Sequence, residues 1–397
     1  MARAWAIGLS SLFLAGTAAL AACGDDDGQG GSGPGGSGGN PTTGGMGGVG
    51  GAGGTGGSGG TSAGRGEGGS GGGDGGMGGG CVNSLPNEMT APATLSDTGL
   101  YDDIGNKTVA GGNLPYAPQF ELWSDATEKS RWVYLPECGV IDNSDEDDWD
   151  FPVGTRMWKE FALAGQRLET RLVHRYGSGP NDFLFATYVW DDLETEATLT
   201  EAGVEDVLGT EHDVPATTAC GRCHGPHPSK GGLPSRFLGF SAIQLSHTGS
   251  GVTMATLSND GHLMVPNAAG YAVPGTPVEQ AALGYLHANC ANCHNDSPDG
   301  LIFPSLDMRL RVADTDPTQT ASYLDLVNQV KGNFSGPCTH LIAGQDIANS
   351  CVHFRMSERG DDVTPNLNQM PPLATDVVDA SGLSVMEAWI ATLPPLP

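Results

Sequence analysis

Short runs of apolar, β-branched and aromatic residues follow one another through the middle of the chain and predict strands. Residues 183–190 are apolar at almost every position, which predicts a buried strand. In residues 167–176 core-type and polar positions alternate, which predicts a strand with one buried side. Two further runs, 131–135 and 155–162, lie next to proline or glycine. Several short strands separated by turns indicate a β-rich sandwich or barrel from residue 84 to about 215.

The last third of the chain changes to helical spacing. Thr276, Pro277 and Glu279 predict a helix start, with Thr276 as the N-cap and Glu279 closing a capping box. This helix is expected to run directly into Cys290. Apolar residues recur at helical spacing from 383 to 393 and stop at a proline, which predicts a second helix at the end of the chain.

The first 80 residues follow neither pattern. Residues 1–22 combine a basic start with an uncharged, alanine-rich apolar run, which is typical of a secretory signal. The run ends in Leu20-Ala-Ala-Cys23, which resembles the lipobox of bacterial lipoproteins and implies acylation of Cys23. The alternative is an ordinary secretory signal that ends in cysteine. Residues 23–80 are rich in glycine and nearly free of apolar side chains, so we expect a disordered tether.

The charge balance narrows the classes of partner. The formal net charge is −28 at pH 7, because 46 Asp and Glu oppose 18 Lys and Arg. Nearly all of this excess lies after residue 80. Such a field repels nucleic acid and favours a basic redox protein as the partner.

Two five-residue motifs carry the clearest chemistry, and both have the pattern C-x-x-C-H. This pattern is typical of c-type haem attachment, in which both thiols bond to the haem vinyl groups and the histidine binds the iron. A zinc ribbon, one alternative, expects cysteine pairs roughly 15–20 residues apart. A thioredoxin-like dithiol, the other, needs a βαβ pattern that neither motif follows. Two covalent haems are therefore expected, at Cys220, Cys223 and His224 and at Cys290, Cys293 and His294.

Each haem iron has room for a second axial ligand. For the second motif we expect Met370, because Gln369-Met-Pro-Pro372 resembles the Met-Pro segment of class I cytochromes c. Met308 and Met356 are alternatives, since methionine is also a common core residue. His/Met ligation would raise the reduction potential.

For the first motif the candidate is Met264, which lies two residues before a proline. Met254, His247 and His262 are alternatives, and the iron could also be five-coordinate. His174 is expected to be a packed or surface residue. The acidic run 145–148 lacks the ligand spacing of a calcium loop, which predicts a solvated loop.

The chain has nine cysteines. One is assigned to lipid and four to haem, so four remain. An even remainder in an exported protein indicates two disulfides. The expected pairs join Cys338 to Cys351 and Cys81 to Cys138, which is one of the three connectivities that four cysteines allow.

Two resemblances bear on the architecture. The unit from 276 to 397 resembles class I cytochrome c, in which a helix leads into the haem motif and a C-terminal helix packs across it. Short matches over residues 110 to 393 look like a family of secreted bacterial proteins in which a β-rich region precedes c-type haem motifs. These matches include Leu122-Trp-Ser-Asp125, Arg131-Trp132, Glu169-Thr-Arg-Leu172, Tyr188-Val-Trp190 and Leu238-Gly-Phe240.

The expected fold class is therefore multidomain, with a β-rich domain followed by mainly α-helical, cytochrome c-like haem units. The expected boundaries are 1–22 for the signal, 23–80 for the tether, 81–215 for the β-rich domain, 216–275 for the first haem segment and 276–397 for the cytochrome c-like domain.

The expected function is electron transfer by a lipid-anchored di-haem cytochrome in the bacterial cell envelope. One alternative is a di-haem oxidase or peroxidase-like enzyme with an open distal site at the first haem. Another is a β-domain binding module with accessory haems. The sequence predicts no catalytic residue, which favours an electron carrier over an enzyme. An enzymatic role stays open.

Overall fold

The computed structural model describes residues 85–225, 235–295, 306–330, 332, 336–360, 368–373 and 375–397. Eight strands form a two-stranded hairpin, β1–β2, and a six-stranded antiparallel sheet, β3 to β8. Their bounds are β1 Tyr101–Asp103, β2 Thr108–Val109, β3 Leu114–Pro115, β4 Glu128–Tyr134, β5 Arg156–Leu163, β6 Gln166–Arg175, β7 Phe183–Trp190 and β8 Ala197–Thr200.

The β-rich region is confirmed, and the four runs predicted from periodicity correspond to β4, β5, β6 and β7. The sheet differs from the expected sandwich or barrel. In the described part of the chain the six strands pair in sequence order, which makes an open meander. Tight connections explain the order: Ala164 and Gly165 join β5 to β6 with φ of 50° and 87°, and two positive φ values suit a twisted hairpin.

Each face of the sheet has its own core. On one face Trp158, Tyr188 and Trp190 pack against Leu95 and Leu100 of the preceding segment, and all five are buried. The opposite face is covered by residues that follow the first motif. They include Phe237, Phe240, Leu245, Met254 and Leu257. The expected boundary at 215 therefore lies within a shared core, and all described residues fall in one compact unit, 75–397.

After residue 220 the regular elements of the described residues are helices. The described ones are α1 Gly221–His224, α2 Ala242–Leu245, α3 Met254–Asn259, α4 Pro277–Asn289, α5 Ala321–Leu326, α6 Cys351–Ser357 and α7 Ala380–Thr392. The predicted capping box starts α4: the Thr276 amide donates to Glu279 Oε2 at 2.7 Å, and the Glu279 amide donates to Thr276 Oγ1. The predicted C-terminal helix is α7.

Helix α4 packs closely against α7 and against the loop before β4, and one glycine permits each contact. A Cβ at Gly382 of α7 would lie 2.4 Å from Tyr285 Oη of α4, and one at Gly284 would lie 2.1 Å from the Phe120 ring. Leu283, Leu286, Met386, Trp389 and Ile390 are buried in the joint core. The first of these contacts joins the two helices, and the second brings α4 against the loop before β4.

The disulfide between Cys338 and Cys351 is confirmed, with a sequence separation of 13. Cys138 is also disulfide-bonded. Its expected partner Cys81 and the lipidation residue Cys23 lie outside the described residues, as do the expected signal and tether. Within the described ranges, no helix has the length and apolar character needed to cross a membrane.

Candidate functional site

Both C-x-x-C-H motifs line a single cavity of about 1020 Å³. Its walls come from one face of the sheet, residues 235–241, the end of α4 and residues 370–373. This volume is at the upper end of the range for small-molecule and cofactor sites. All six motif residues reach the cavity: Cys220, Cys223, His224, Cys290, Cys293 and His294.

One helical turn organises the first motif. The His224 amide donates to the Cys220 carbonyl at 3.0 Å, so cysteine and histidine lie on the same side of the turn. The His224 Nδ1 lies 3.0 Å from the carbonyl oxygen of Arg236. Because a carbonyl only accepts, Nδ1 carries the proton and Nε2 keeps its lone pair. Burial lowers the pKa of His224 to about 4, so the ring is the neutral form that binds metal.

The second motif repeats this turn at the end of α4. The His294 amide donates to the Cys290 carbonyl at 2.9 Å. Burial lowers the pKa of His294 and raises the pKa of the Cys290 thiol to about 12. The His294 Nδ1 is buried, and no described group hydrogen-bonds it. A buried polar atom without a partner is costly, which is typical of a site that a ligand completes.

The two motifs touch each other. The Cys293 Sγ lies 3.5 Å from the carbonyl oxygen of Arg222, and the Arg236 guanidinium donates to the Asn292 carbonyl at 3.4 Å. A hydrogen bond to Cys293 lowers the pKa of Cys223. The second cysteine of each motif therefore faces that of the other.

Met370, the expected axial ligand of the second motif, lines the cavity. Its amide donates to the Arg355 carbonyl at 3.0 Å, and it is partly buried. The alternatives Met308 and Met356 also line the cavity and belong to the buried core of α4 and α7. All three methionines therefore line the same cavity, and the structure does not choose among them.

Met264 lies elsewhere, and the structure does not bring it to His224. Its side chain is 56% exposed and lies outside the cavity wall. The reason is a backbone interaction: the Met264 amide donates to the Ile141 carbonyl at 2.9 Å, which holds this segment against the loop after β4. The alternatives Met254, His247 and His262 also lie outside the wall.

Two cavity residues were missed from the sequence. His287 precedes Cys290 by three positions on α4, so the two share a helix face. Its Nδ1 accepts a hydrogen bond from the Leu310 amide at 3.1 Å, and burial lowers its pKa to about 4. Met157 reaches the cavity from β5. The H-x-x-C spacing was the available signal for His287.

The wall of the cavity is strongly basic, which the net charge of −28 conceals. Among the cavity residues are eight of the 18 Lys and Arg in the chain. Three aspartates, at 147, 148 and 150, also line it. The eight basic residues are Arg131, Lys159, Arg171, Arg175, Arg222, Arg236, Arg309 and Arg355.

The acidic run 145–148 is not a freely solvated loop, which corrects the expectation from sequence. The Arg309 guanidinium contacts the Asp148 carboxylate at 3.0 Å and donates to the Asp147 carbonyl at 2.7 Å. The Val312 amide donates to Asp147 Oδ1 at 3.0 Å, and burial raises the pKa of Asp147. The loop attaches the sheet to the chain after the second motif.

Comparison of the chain with protein-family models, with curated proteins and with solved structures finds no match. The resemblances described from the sequence therefore stay predictions. In the described part of the chain, no group of three or more His, Cys, Asp or Glu side chains is arranged to hold a metal ion.

Proposed function

We propose that this chain is an exported, lipid-anchored di-haem c-type cytochrome that transfers electrons in the bacterial cell envelope. The observation that carries the proposal is that both C-x-x-C-H motifs line one cavity, with each histidine on a helical turn beside its cysteines. The C-terminal unit supports a cytochrome c-like arrangement, because α4 leads into the second motif and packs against α7.

The residues present fit two c-type haems. Cys220 and Cys223 would hold one and Cys290 and Cys293 the other, with His224 and His294 as proximal ligands. The proton on Nδ1 of His224 leaves Nε2 available to a metal, and hydrogen bonding from the other ring nitrogen is the usual support of a ligating histidine. The orphaned His294 Nδ1 and the basic wall are further signs of a site built for a charged, metal-containing group.

A bound c-type haem supplies one-electron chemistry at its iron. The chain holds the two attachment segments in contact, through Cys293 with Arg222 and Arg236 with Asn292. With both haems bound, this contact between the motifs would place the two centres close enough for electron transfer between them. Both histidines are partly buried and line the cavity.

The distribution of charge between the cavity and the outer surface supports an acidic docking surface. Because eight of the basic side chains face the cavity, the surface elsewhere carries the net negative charge. A basic redox protein is the partner that such a field would steer in. Acylation of Cys23 would hold the chain at a membrane while the glycine-rich tether lets the folded part reach that partner.

The experiment is a haem count per chain after expression with an intact haem-attachment system. We expect two haems in the natural sequence and one in each double variant, Cys220→Ala with Cys223→Ala or Cys290→Ala with Cys293→Ala. Replacing Cys338 and Cys351 together is the matched control and should leave two. A colourless natural protein, or one whose motif thiols hold zinc, would contradict the proposal.

One observation favours a second candidate, a peroxidase-like or oxidase enzyme. None of the four candidate distal residues lies in the cavity wall with His224, so the described residues leave the distal side of the first site without the expected ligand. Titration with hydrogen peroxide distinguishes the two. Turnover of peroxide by one haem would favour the enzyme, and two unreactive haems would favour the carrier.

A further inference from the structure

Three basic residues form a row across neighbouring strands of the sheet. Arg131 of β4 is in register with Lys159 of β5, and Lys159 is in register with Arg171 of β6. Residues in register share a face of the sheet, and all three side chains line the cavity. Like charges directly opposite one another on adjacent strands destabilise a sheet, so this row needs compensation.

The carboxylates of the described residues compensate only the ends of the row. Arg131 pairs with Glu121, whose side chain is 61% exposed, and Arg171 pairs with the buried Glu169. Lys159, in the centre, has neither an ion pair nor a hydrogen-bond acceptor among the described residues. Its ammonium group lies 4.8 Å from the centre of the Phe161 ring. Burial, with the positive charges of its two neighbours, lowers the pKa of Lys159 well below its usual value.

The row lies beside the first motif. The His224 ring packs on Phe185 with centroids 5.1 Å apart, and Phe185 is in register with Val173. Arg171 lies two residues from Val173 along β6, on the same face. Two residues of a strand span about 7 Å. Arg171, at one end of the row, is therefore one rung of the sheet away from the Val173–Phe185 pair on which the proximal histidine packs.

We infer that Arg131, Lys159 and Arg171 form an anion-binding site whose occupant is the pair of propionate carboxylates of the haem held by the first motif. The inference rests on the proposed function. Carboxylates make short, charge-assisted hydrogen bonds with Arg and Lys, which would offset the repulsion along the row. A tethered carboxylate is favoured over a free anion, because the net charge of −28 repels anions that arrive from solution.

Such a site acts on the iron through charge. Bound carboxylates would favour the protonated form of Lys159, and its positive charge near the porphyrin would favour the reduced form, which carries one positive charge fewer at the iron. Removing it should lower the reduction potential of the first haem and leave the second less affected, because the row borders the first motif. Coulomb energies at an effective dielectric of about 20 predict a change of about tenfold in the reduced-to-oxidised ratio.

The test is a redox titration of the holoprotein followed by absorbance, with Lys159→Met. At a fixed applied potential, we expect the reduced-to-oxidised ratio of one haem to fall about tenfold. Lys159→Arg should restore it. Lys107→Met is the matched control: that ammonium also lies over an aromatic ring, Trp190 at 4.9 Å, but lies outside the cavity wall, and it should change nothing. Arg131→Gln provides an independent variant of the row should Lys159→Met not accumulate.

The outcomes separate the two proposals. A natural protein without haem overturns the proposed function. If Lys159→Met and Arg131→Gln carry two haems and titrate as the natural protein does, the inference about the basic row is wrong and the proposed function stands. A saturable shift of the titration on adding inorganic phosphate, lost in Lys159→Met, would also overturn the assignment, because the row would then bind a free oxyanion.

Discussion

The two C-x-x-C-H segments have the same local backbone and very different surroundings. In each, the histidine amide donates to the carbonyl of the first cysteine, at 3.0 Å and 2.9 Å. The first segment faces a β-sheet with Phe185 and a row of cations. The second follows the 13-residue helix α4, and the lining of the cavity also includes the methionines 308, 356 and 370. Under the proposed function, the motif would set where each haem attaches, and the different surroundings would set its axial ligand and its potential.

The largest effect should come from removing the expected sixth ligand of the second site. We expect Met370→Ala to raise the number of carbon monoxide molecules bound per reduced chain by one, because an open iron coordination position binds this ligand. Met264→Ala is the control and should bind as the natural protein does, since that side chain is 56% exposed and outside the cavity wall.

Absorbance titration with carbon monoxide measures both variants. An unchanged stoichiometry for Met370→Ala would transfer the ligand role to Met308 or Met356. An increase for Met264→Ala would show that the first site closes on a residue that the described structure holds away from it.

The next effect concerns stability of the two regions. Trp158 is fully buried in the sheet and Trp389 is buried between α4 and α7. Replacing either with Ala should lower the free energy of unfolding by about 3–5 kcal/mol, because a large cavity remains. Since all described residues fall in one compact unit, we expect one transition. Far-ultraviolet circular dichroism and haem absorbance should therefore melt together, and two separate transitions would divide the regions.

The smallest effect is on the pH dependence of stability. Two buried histidines of the β-rich region should change the free energy of unfolding in opposite directions as the pH rises. Burial and the charge of Arg156 lower the pKa of His174 from 6.5 to about 4. For His212 burial acts in the same direction, but the Asp125 carboxylate 3.5 Å from Nδ1 and the hydrogen bond with Glu169 outweigh it and raise the pKa. His174 therefore stabilises the fold at neutral pH and loses this contribution as pH falls from 6.5 to about 4. His212 stabilises it fully below 6.5 and less as pH rises through its folded pKa.

Urea unfolding at a series of pH values measures this difference. His174→Gln should remove a loss of roughly 2–4 kcal/mol in the free energy of unfolding between pH 6.5 and about 4, and His212→Gln should remove a loss on the alkaline side. The same slope in both variants would mean that the carboxylates around His212 do not hold its proton.

Much of the local structure was predictable from short patterns. The strands β4 to β7, the capping box at Thr276, the helix α7 and the disulfide between Cys338 and Cys351 all follow from residues close in sequence. Alternation and capping act between near neighbours, so the residues concerned carry the information themselves. The β-rich region followed by helices was predicted for the same reason.

Contacts between distant parts of the chain determined which residues line the cavity. Strand register aligned Arg131, Lys159 and Arg171, and a shift of one residue would turn each side chain to the other face. Backbone pairing with Ile141 held Met264 away from His224, although its neighbouring proline resembled the setting of Met370. The two motifs predict haem attachment from local sequence alone, because the thiols and the histidine must be close in sequence to share one turn. Which charges and sulfurs surround them depends on packing over the whole chain, and local pattern does not encode that.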